Sequence, residues 1–167
     1  KLRFKENLNL ISISRLVKSK NIDWLLYSLK NLLNENIKNK YFKDIILYIV
    51  GCGPETTSLK KITKKYDLIN NIKFCGKVSE TKKNKLLSNA HINLIPGVQA
   101  YGLPALESLR MGVPTVINKE SKICEILKNN KMVKITKNNQ LNFSKSLLIY
   151  VEELKKSKIK KYKGDHL

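Results

Sequence analysis

Residues 99–107 read QAYGLPALE and continue as SLRMGVP to residue 114, shortly after the run INLI of residues 92–95. This pattern predicts a strand, a short loop and a helix. Gly102 provides a tight turn that leaves backbone N–H groups accessible, and Pro104 is suited to the first turn of a helix. Glu107 then projects a carboxylate one turn into that helix. A helix N-terminus of this kind favours a phosphorylated ligand.

Strand-like and helix-like segments alternate along the chain. Continuous apolar runs predict strands, and apolar residues at helical spacing predict the helices between them. The predicted strands lie at residues 9–14, 45–50, 72–75, 92–95, 113–117 and 132–135, and a short helix is predicted at 121–127. Repeated strand–helix units with apolar strands are typical of a parallel sheet covered on both faces. We therefore expect one domain over residues 1–167, a Rossmann-like three-layer α/β sandwich with a roughly six-stranded parallel sheet and a core at 9–155.

The chain has 167 residues and a formal net charge of +20. Such a charge attracts nucleic acid, anionic lipid or phosphorylated substrates. Nearly all the basic residues are lysine, because arginine occurs only at Arg3, Arg15 and Arg110. This pattern favours a compositional bias over a nucleic-acid surface, which also uses arginine and aromatic residues. We expect no specific nucleic acid partner. The lysine-rich segment 155–163 is either a solvated helix end or a surface for anionic membranes.

Cysteine and histidine indicate neither a disulfide framework nor a metal site. Cys52, Cys75 and Cys124 are widely spaced and form no C-x-x-C pair. His91 opens an apolar strand, where we expect a structural role. No run approaches the roughly 18 apolar residues that a membrane span requires. We expect a cytoplasmic chain and, because it does not begin with methionine, a fragment of a longer polypeptide.

Two loops at the predicted carboxyl edge of the sheet carry candidate binding groups. Ligands of such sheets bind at this edge. Arg15 and Lys20 follow the first strand, where a guanidinium can bind phosphate oxygens and an ammonium can add charge. Gly53 belongs to a G-x-G turn after the second strand, which lets a ligand or a neighbouring loop approach closely. It is not a dinucleotide fingerprint, because the third glycine is absent.

The next two loops add a turn and a carboxylate. Gly76 and Ser79 follow the third strand and predict a turn and a helix cap. Glu107 is the strongest polar candidate, since its carboxylate can accept hydrogen bonds from both hydroxyls of a ribose. A solvated helix carboxylate is the alternative.

Together these loops resemble the C-terminal, donor-nucleotide half of retaining GT-B glycosyltransferases, most closely glycosyltransferase family four, over about residues 9–155. The resemblance implies that Arg15 and Lys20 neutralise the donor diphosphate. The turn containing Gly53 and the run ending at Val78 also match the family, and the latter is where members hold the base through backbone groups.

The family's most specific motif is a glutamate, seven residues and a second glutamate around a Gly-Phe-Gly turn. By resemblance, Glu107 would hold the ribose, while Gly102 and Leu103 would offer N–H groups to the phosphates. Tyr101 stands where the family has phenylalanine. Gln99 stands at the first glutamate, which in the family touches the transferred sugar.

The resemblance implies retaining transfer from a nucleotide-diphosphate sugar, a UDP-hexose or UDP-N-acetylhexosamine, without a metal or other cofactor. The expected acceptor is a lipid-diphosphate-linked or other saccharide in bacterial surface polysaccharide or O-antigen synthesis, at the inner face of the inner membrane. An N-terminal domain absent from this chain would bind the acceptor, so the fragment alone should be inactive. A UDP-sugar epimerase and a non-catalytic nucleotide- or nucleic-acid-binding module are the alternatives.

Overall fold

Within residues 7–39 and 42–156, which the computed structural model describes, the chain forms a six-stranded parallel sheet. The spatial order is β3-β2-β1-β4-β5-β6. The predicted fold class is therefore confirmed. Of the lysine-rich segment, residues 157–163 lie outside the described residues. The strands are β1 Leu8–Ile13, β2 Ile45–Val50, β3 Ile72–Gly76, β4 Ile92–Ile95, β5 Thr115–Asn118 and β6 Val133–Thr136.

Helices pack on both faces of this sheet. One face is covered by α1, α2 and α6, and the other by α3, α4 and α5. Among the described residues, none of these helices has the length and apolar character needed to cross a bilayer. The helices are α1 Ile22–Asn39, α2 Thr56–Lys65, α3 Glu80–Ser88, α4 Leu103–Arg110, α5 Cys124–Leu127 and α6 Gln140–Lys156.

The central strands are mostly apolar because both of their faces are buried. In β1, Leu10 packs into the core beneath α1 and α6, whereas the next residue, Ile11, packs with Leu87 of α3 on the opposite face. Leu10 and Ile11 are both fully buried. Successive strand side chains point to opposite faces, so a strand covered on both sides carries a continuous apolar run. This is the pattern that the sequence shows.

Two predicted boundaries differ from the structure by two residues or more. The fifth strand begins at Thr115 rather than at residue 113, because Pro114 has no N–H for the ladder and the N–H of Val113 donates to Ser108 O (2.8 Å). The helix predicted at 121–127 begins at Cys124. The residues before it form turns instead, with the N–H of Ser121 donating to Asn118 O (3.1 Å).

Two local predictions from the sequence are confirmed. Ser79 caps α3, since its Oγ accepts a hydrogen bond from the N–H of Lys82 (3.3 Å). His91 has a structural contact with Asn9. The imidazole Nδ1 of His91 accepts a hydrogen bond from the backbone N–H of Asn9 (2.9 Å), and the backbone N–H of His91 donates to Asn9 O (2.7 Å). These bonds join the start of β4 to β1.

Tyr150 of α6 makes folding stability depend on alkaline pH. Its side chain is buried in the core, where burial, and secondarily the charge of Glu153, raise the pKa of the phenol to about 12. The unfolded chain releases this proton near pH 10, so the stabilisation is complete below pH 10 and is lost between pH 10 and 12. Between pH 9 and 11 the free energy of unfolding should fall by about 1 kcal/mol more in the native protein than in Tyr150→Phe.

Urea unfolding at pH 9, 10 and 11 measures this difference. Tyr101 is 83% exposed, so Tyr101→Phe serves as the control and should retain the native pH dependence. Identical pH dependence in the native protein and Tyr150→Phe would contradict the prediction.

Candidate functional site

An open cleft with a volume of about 480 Å³ lies at the carboxyl edge of the sheet. It adjoins the position between β1 and β4 where the strand order reverses. Sheets of this kind bind ligands at such a reversal. Its lining comes from the ends of β1, β2 and β3 and from the N-terminal parts of α3 and α4: Ile13, Ser14, Arg15, Val50, Gly51, Cys52, Lys77, Val78, Lys83, Leu103, Pro104 and Glu107.

The structure brings four of the predicted site residues into this cleft. Arg15, Val78, Leu103 and Glu107 line it together, although they come from two different loops and from helix α4. The other predicted residues are not among its lining residues: they are Lys20, Gly53, Gln99, Tyr101 and Gly102. Their positions follow from contacts described below.

The loops after β1 and β2 are held together through their backbones. The N–H of Leu16 donates to Cys52 O (3.0 Å), and the N–H of Glu55 donates to Leu16 O (3.1 Å). A Cβ at Gly53 would overlap the backbone of Leu16, so this glycine permits the close contact between loops. Arg15 is exposed, and in the described part of the chain it makes no ion pair. Its guanidinium is therefore available to a ligand.

Lys20 joins the loop after β1 to the loop after β4. Its Nζ donates a hydrogen bond to Val98 O at 2.8 Å. Gly97 packs directly on the Lys20 backbone, where a Cβ would overlap the Cα of Lys20. Asn21 adds a longer bond from its Nδ2 to Pro96 O (3.5 Å). Lys20 thus holds the loop that leads into α4 and stands beside the cleft rather than in it.

The N-terminus of α4 is suited to an anion. Gly102 is its N-cap residue, with a φ of 70° that favours glycine, and no side chain of the described residues caps this end of the helix. Unpaired N–H groups and the helix dipole together favour negative charge at such an end. The next residue, Leu103, lines the cleft and is 61% exposed. Tyr101, before the cap, is exposed to solvent and does not line the cleft.

Gln99 is fixed through its backbone. Its N–H donates to the Oγ of Ser121 at 3.0 Å, and Ser121 is buried. Asn118 holds the same loop from β5, because its Nδ2 donates to Pro96 O at 2.7 Å. Polar side chains from the β5 region therefore determine the path of the loop that carries Gln99.

Glu107 is paired with a lysine that the sequence analysis did not identify. Lys83 Nζ lies 3.0 Å from Glu107 Oε1 and 2.9 Å from Glu80 Oε2. The hydrogen bond to Glu80 is the larger cause that raises the pKa of Lys83, with Glu107 adding to it against the effect of burial. The ammonium is therefore charged at neutral pH. It links α3 to α4 across the cleft.

Two further cleft residues were missed from the sequence. Lys77 adds a third positive charge to the cleft, after Arg15 and Lys83. Its position directly after β3, at the carboxyl edge, is the signal that could have identified it. Ser14 lines the cleft with a buried hydroxyl that has no hydrogen-bond partner among the described residues. In the same part of the chain, no cluster of three His, Cys, Asp or Glu side chains could hold a metal ion.

Comparison with solved structures gives the class of fold. HepE of Anabaena, in complex with UDP, has a TM-score of 0.74 at 16% identity over 91% of this chain and 41% of its own. WaaG, a glycosyltransferase involved in lipopolysaccharide biosynthesis, has a TM-score of 0.73 at 16% identity over 88% of this chain and 38% of its own. The chain therefore has the Rossmann-like α/β fold of these GT-B glycosyltransferases.

The sequence comparisons give the family. The model of glycosyl transferases group 1 matches residues 1–164, and the chain belongs to that family. An uncharacterized glycosyltransferase of Methanocaldococcus jannaschii is 25% identical over 72% of this chain, and the glycogen synthase of Mycoplasma mobile is 35% identical over 60%. The chain covers only 29% and 20%, respectively, of the lengths of these two relatives.

Gly97 is a position that should tolerate no side chain. The methyl group of Gly97→Ala would displace the Lys20 backbone and separate the loops after β1 and β4. We expect a loss of about 1–3 kcal/mol in the free energy of unfolding, as is typical of overpacking. Urea unfolding measures it. Val98→Ala, at a half-exposed neighbour, is the control and should change stability by less than about 0.5 kcal/mol. Equal stabilities of the two variants would disprove the close contact.

Proposed function

We propose that this chain is the donor-nucleotide domain of a glycosyltransferase. Its ligand is a nucleotide-diphosphate sugar, a UDP-hexose or UDP-N-acetylhexosamine. The observation that carries the proposal is the convergence of Arg15, Lys77 and Lys83 with Glu107 in one cleft, beside the uncapped N-terminus of α4. Membership of the glycosyl transferases group 1 family and the UDP bound to HepE support the choice of ligand.

The cleft offers separate groups for the two polar parts of such a donor. Sugar transfer makes the nucleoside diphosphate the leaving group, so the main electrostatic task is to stabilise its negative charge. Arg15, with Lys77 and the N–H groups at the start of α4, supplies positive charge for the diphosphate without a metal ion. Glu107 supplies a carboxylate that accepts hydrogen bonds from the ribose hydroxyls. Lys20 acts on the same diphosphate indirectly, by holding the loop that leads into α4.

The full reaction needs a second domain. We assign to this enzyme retention of anomeric configuration and an acceptor that is a lipid-linked or other saccharide of bacterial surface polysaccharide. The role of WaaG in lipopolysaccharide biosynthesis supports this class of acceptor. An acceptor domain would complete the cleft, so the present chain alone should bind nucleotide and transfer no sugar. The high positive charge suits work at an anionic inner-membrane surface.

Calorimetric titration of the chain with UDP tests the donor site. Arg15→Ala and Glu107→Ala should each weaken UDP binding about tenfold or more, because each removes a charged hydrogen-bonding group. The matched controls are Arg110→Ala, at the far end of α4, and Glu125→Ala on α5, since both residues are exposed and neither lines the cleft. The controls should bind UDP like the native chain, and adding EDTA should change none of these affinities.

Two results would point elsewhere. UDP affinities that are the same in Arg15→Ala, Glu107→Ala and the controls would exclude the cleft as the nucleotide site. Strongly salt-dependent DNA binding that is indifferent to both cleft variants, without UDP binding, would instead support a nucleic-acid-binding module.

Gln99 is expected to contact the transferred sugar. In an enzyme that contains this chain and its acceptor domain, Gln99→Glu restores a carboxylate and should change the preference between UDP-hexose and UDP-N-acetylhexosamine donors. The rates with both donors are measured from product mass. The backbone N–H of Gln99 donates the hydrogen bond to Ser121 Oγ, so the substitution leaves this contact in place. Unchanged rates with every donor would mean that the side chain has no role.

A further inference from the structure

The side chain of Lys83 is more buried than those of the other ion-paired lysines in the described part of the chain. Its side chain is 14% exposed, whereas those of Lys38, Lys119 and Lys134 are between 33% and 68% exposed. Two carboxylates bind its ammonium, that of Glu80 one helical turn earlier in α3 and that of Glu107 in α4. Lys83 is therefore held on its own helix while it contacts the neighbouring one.

Glu107 depends on this contact for its orientation. Its side chain is 41% exposed, and an exposed glutamate samples several rotamers. The only side-chain hydrogen bond of Glu107 among the described residues is the one it accepts from Lys83, at Oε1. A carboxylate has about four acceptor positions, so this bond leaves capacity for two ribose hydroxyls. Lys83 can thus hold Glu107 in place without blocking it.

We propose that Lys83 is a positioning residue for ribose recognition: it holds the Glu107 carboxylate in the binding orientation before the nucleotide arrives. The inference rests on the proposed function, in which Glu107 holds the ribose. Fixing a group in its bound conformation lowers the entropic cost of binding. The site therefore distinguishes a ribose from a deoxyribose more strongly than a free glutamate would. The raised pKa of Lys83 keeps this arrangement charged throughout the neutral range.

Binding of UDP and of 2′,3′-dideoxy-UDP to the chain separates this role from simple charge attraction. Lys83→Met keeps most of the length of the side chain and removes the ammonium, and Lys83→Arg keeps the charge and the donors. Lys82→Met is the matched control, because Lys82 is exposed on the same helix and does not line the cleft. Calorimetry at one fixed salt concentration gives the ratio of the two dissociation constants for each protein.

The native chain should prefer UDP to the dideoxy ligand. In Lys83→Met that preference should fall about fivefold, through weaker UDP binding and nearly unchanged dideoxy-UDP binding. Lys83→Arg should restore most of the preference, and Lys82→Met should retain all of it. Thermal unfolding shows whether each variant is folded. If Lys83→Met is not folded, the test of the positioning role rests on Lys83→Arg and on the pKa measurement described next.

A measurement without nucleotide tests the contact itself. The pKa of Lys83 is followed by NMR of its side chain in the free protein, native and Glu107→Gln. Because Glu107 contributes to the raised pKa, the substitution should lower it, and Glu125→Gln on α5 should not. An unchanged pKa in Glu107→Gln would show that the two groups are not paired in solution, which overturns the inference.

The outcomes distinguish this inference from the proposed function. A native chain that binds no UDP overturns both. A native chain that prefers UDP while Lys83→Met keeps the same preference overturns the inference alone. Equal weakening of UDP and dideoxy-UDP binding in Lys83→Met would show a direct contact with the phosphates and would likewise overturn the positioning role.

Discussion

The pairing of β1 with β4 is the constraint on which the cleft depends. From β1 the chain continues through α1 to β2 on one side of the sheet order, and from β4 it continues through α4 to β5 on the other. The loops that leave the two strands therefore diverge, and a crevice opens between them. The His91–Asn9 hydrogen bonds hold the start of this pairing, and Lys20 with Gly97 holds its carboxyl end. Arg15 lines the cleft after β1, and Leu103 lines it at the start of the helix that follows β4.

Much of this fold could be predicted from the sequence because its information is local. Continuous apolar runs identify the strands. The cap residue Ser79 and the turn at Gly102 identify the starts of helices. The errors at residues 113 and 121 arose where a hydrogen bond changed a boundary without changing the apolar pattern. Pro114 could have signalled the first of them, since it cannot donate to a strand ladder.

The site was less predictable because its contacts are long-range. Glu107 was identified from its helix, yet its partner Lys83 lies on another helix, and no local spacing relates the two. The ammonium of Lys20 bonds to Val98 O, and this contact has no sequence signature because its acceptor is a backbone atom. Lysine is also so frequent in this chain that no single lysine stands out. Arg15 was identifiable for the opposite reason, because arginine is rare.

Two pairs of loops around the cleft meet through main-chain atoms, and this has a consequence for evolution. Leu16 and Cys52 meet through main-chain atoms, as do Gly97 and Lys20, so the shape of the cleft does not depend on the identity of the side chains that face the ligand. Mutations at the exposed residues Arg15 and Lys77 can thus change ligand preference at little cost to folding. The scaffold can diversify its chemistry while its glycines stay constrained.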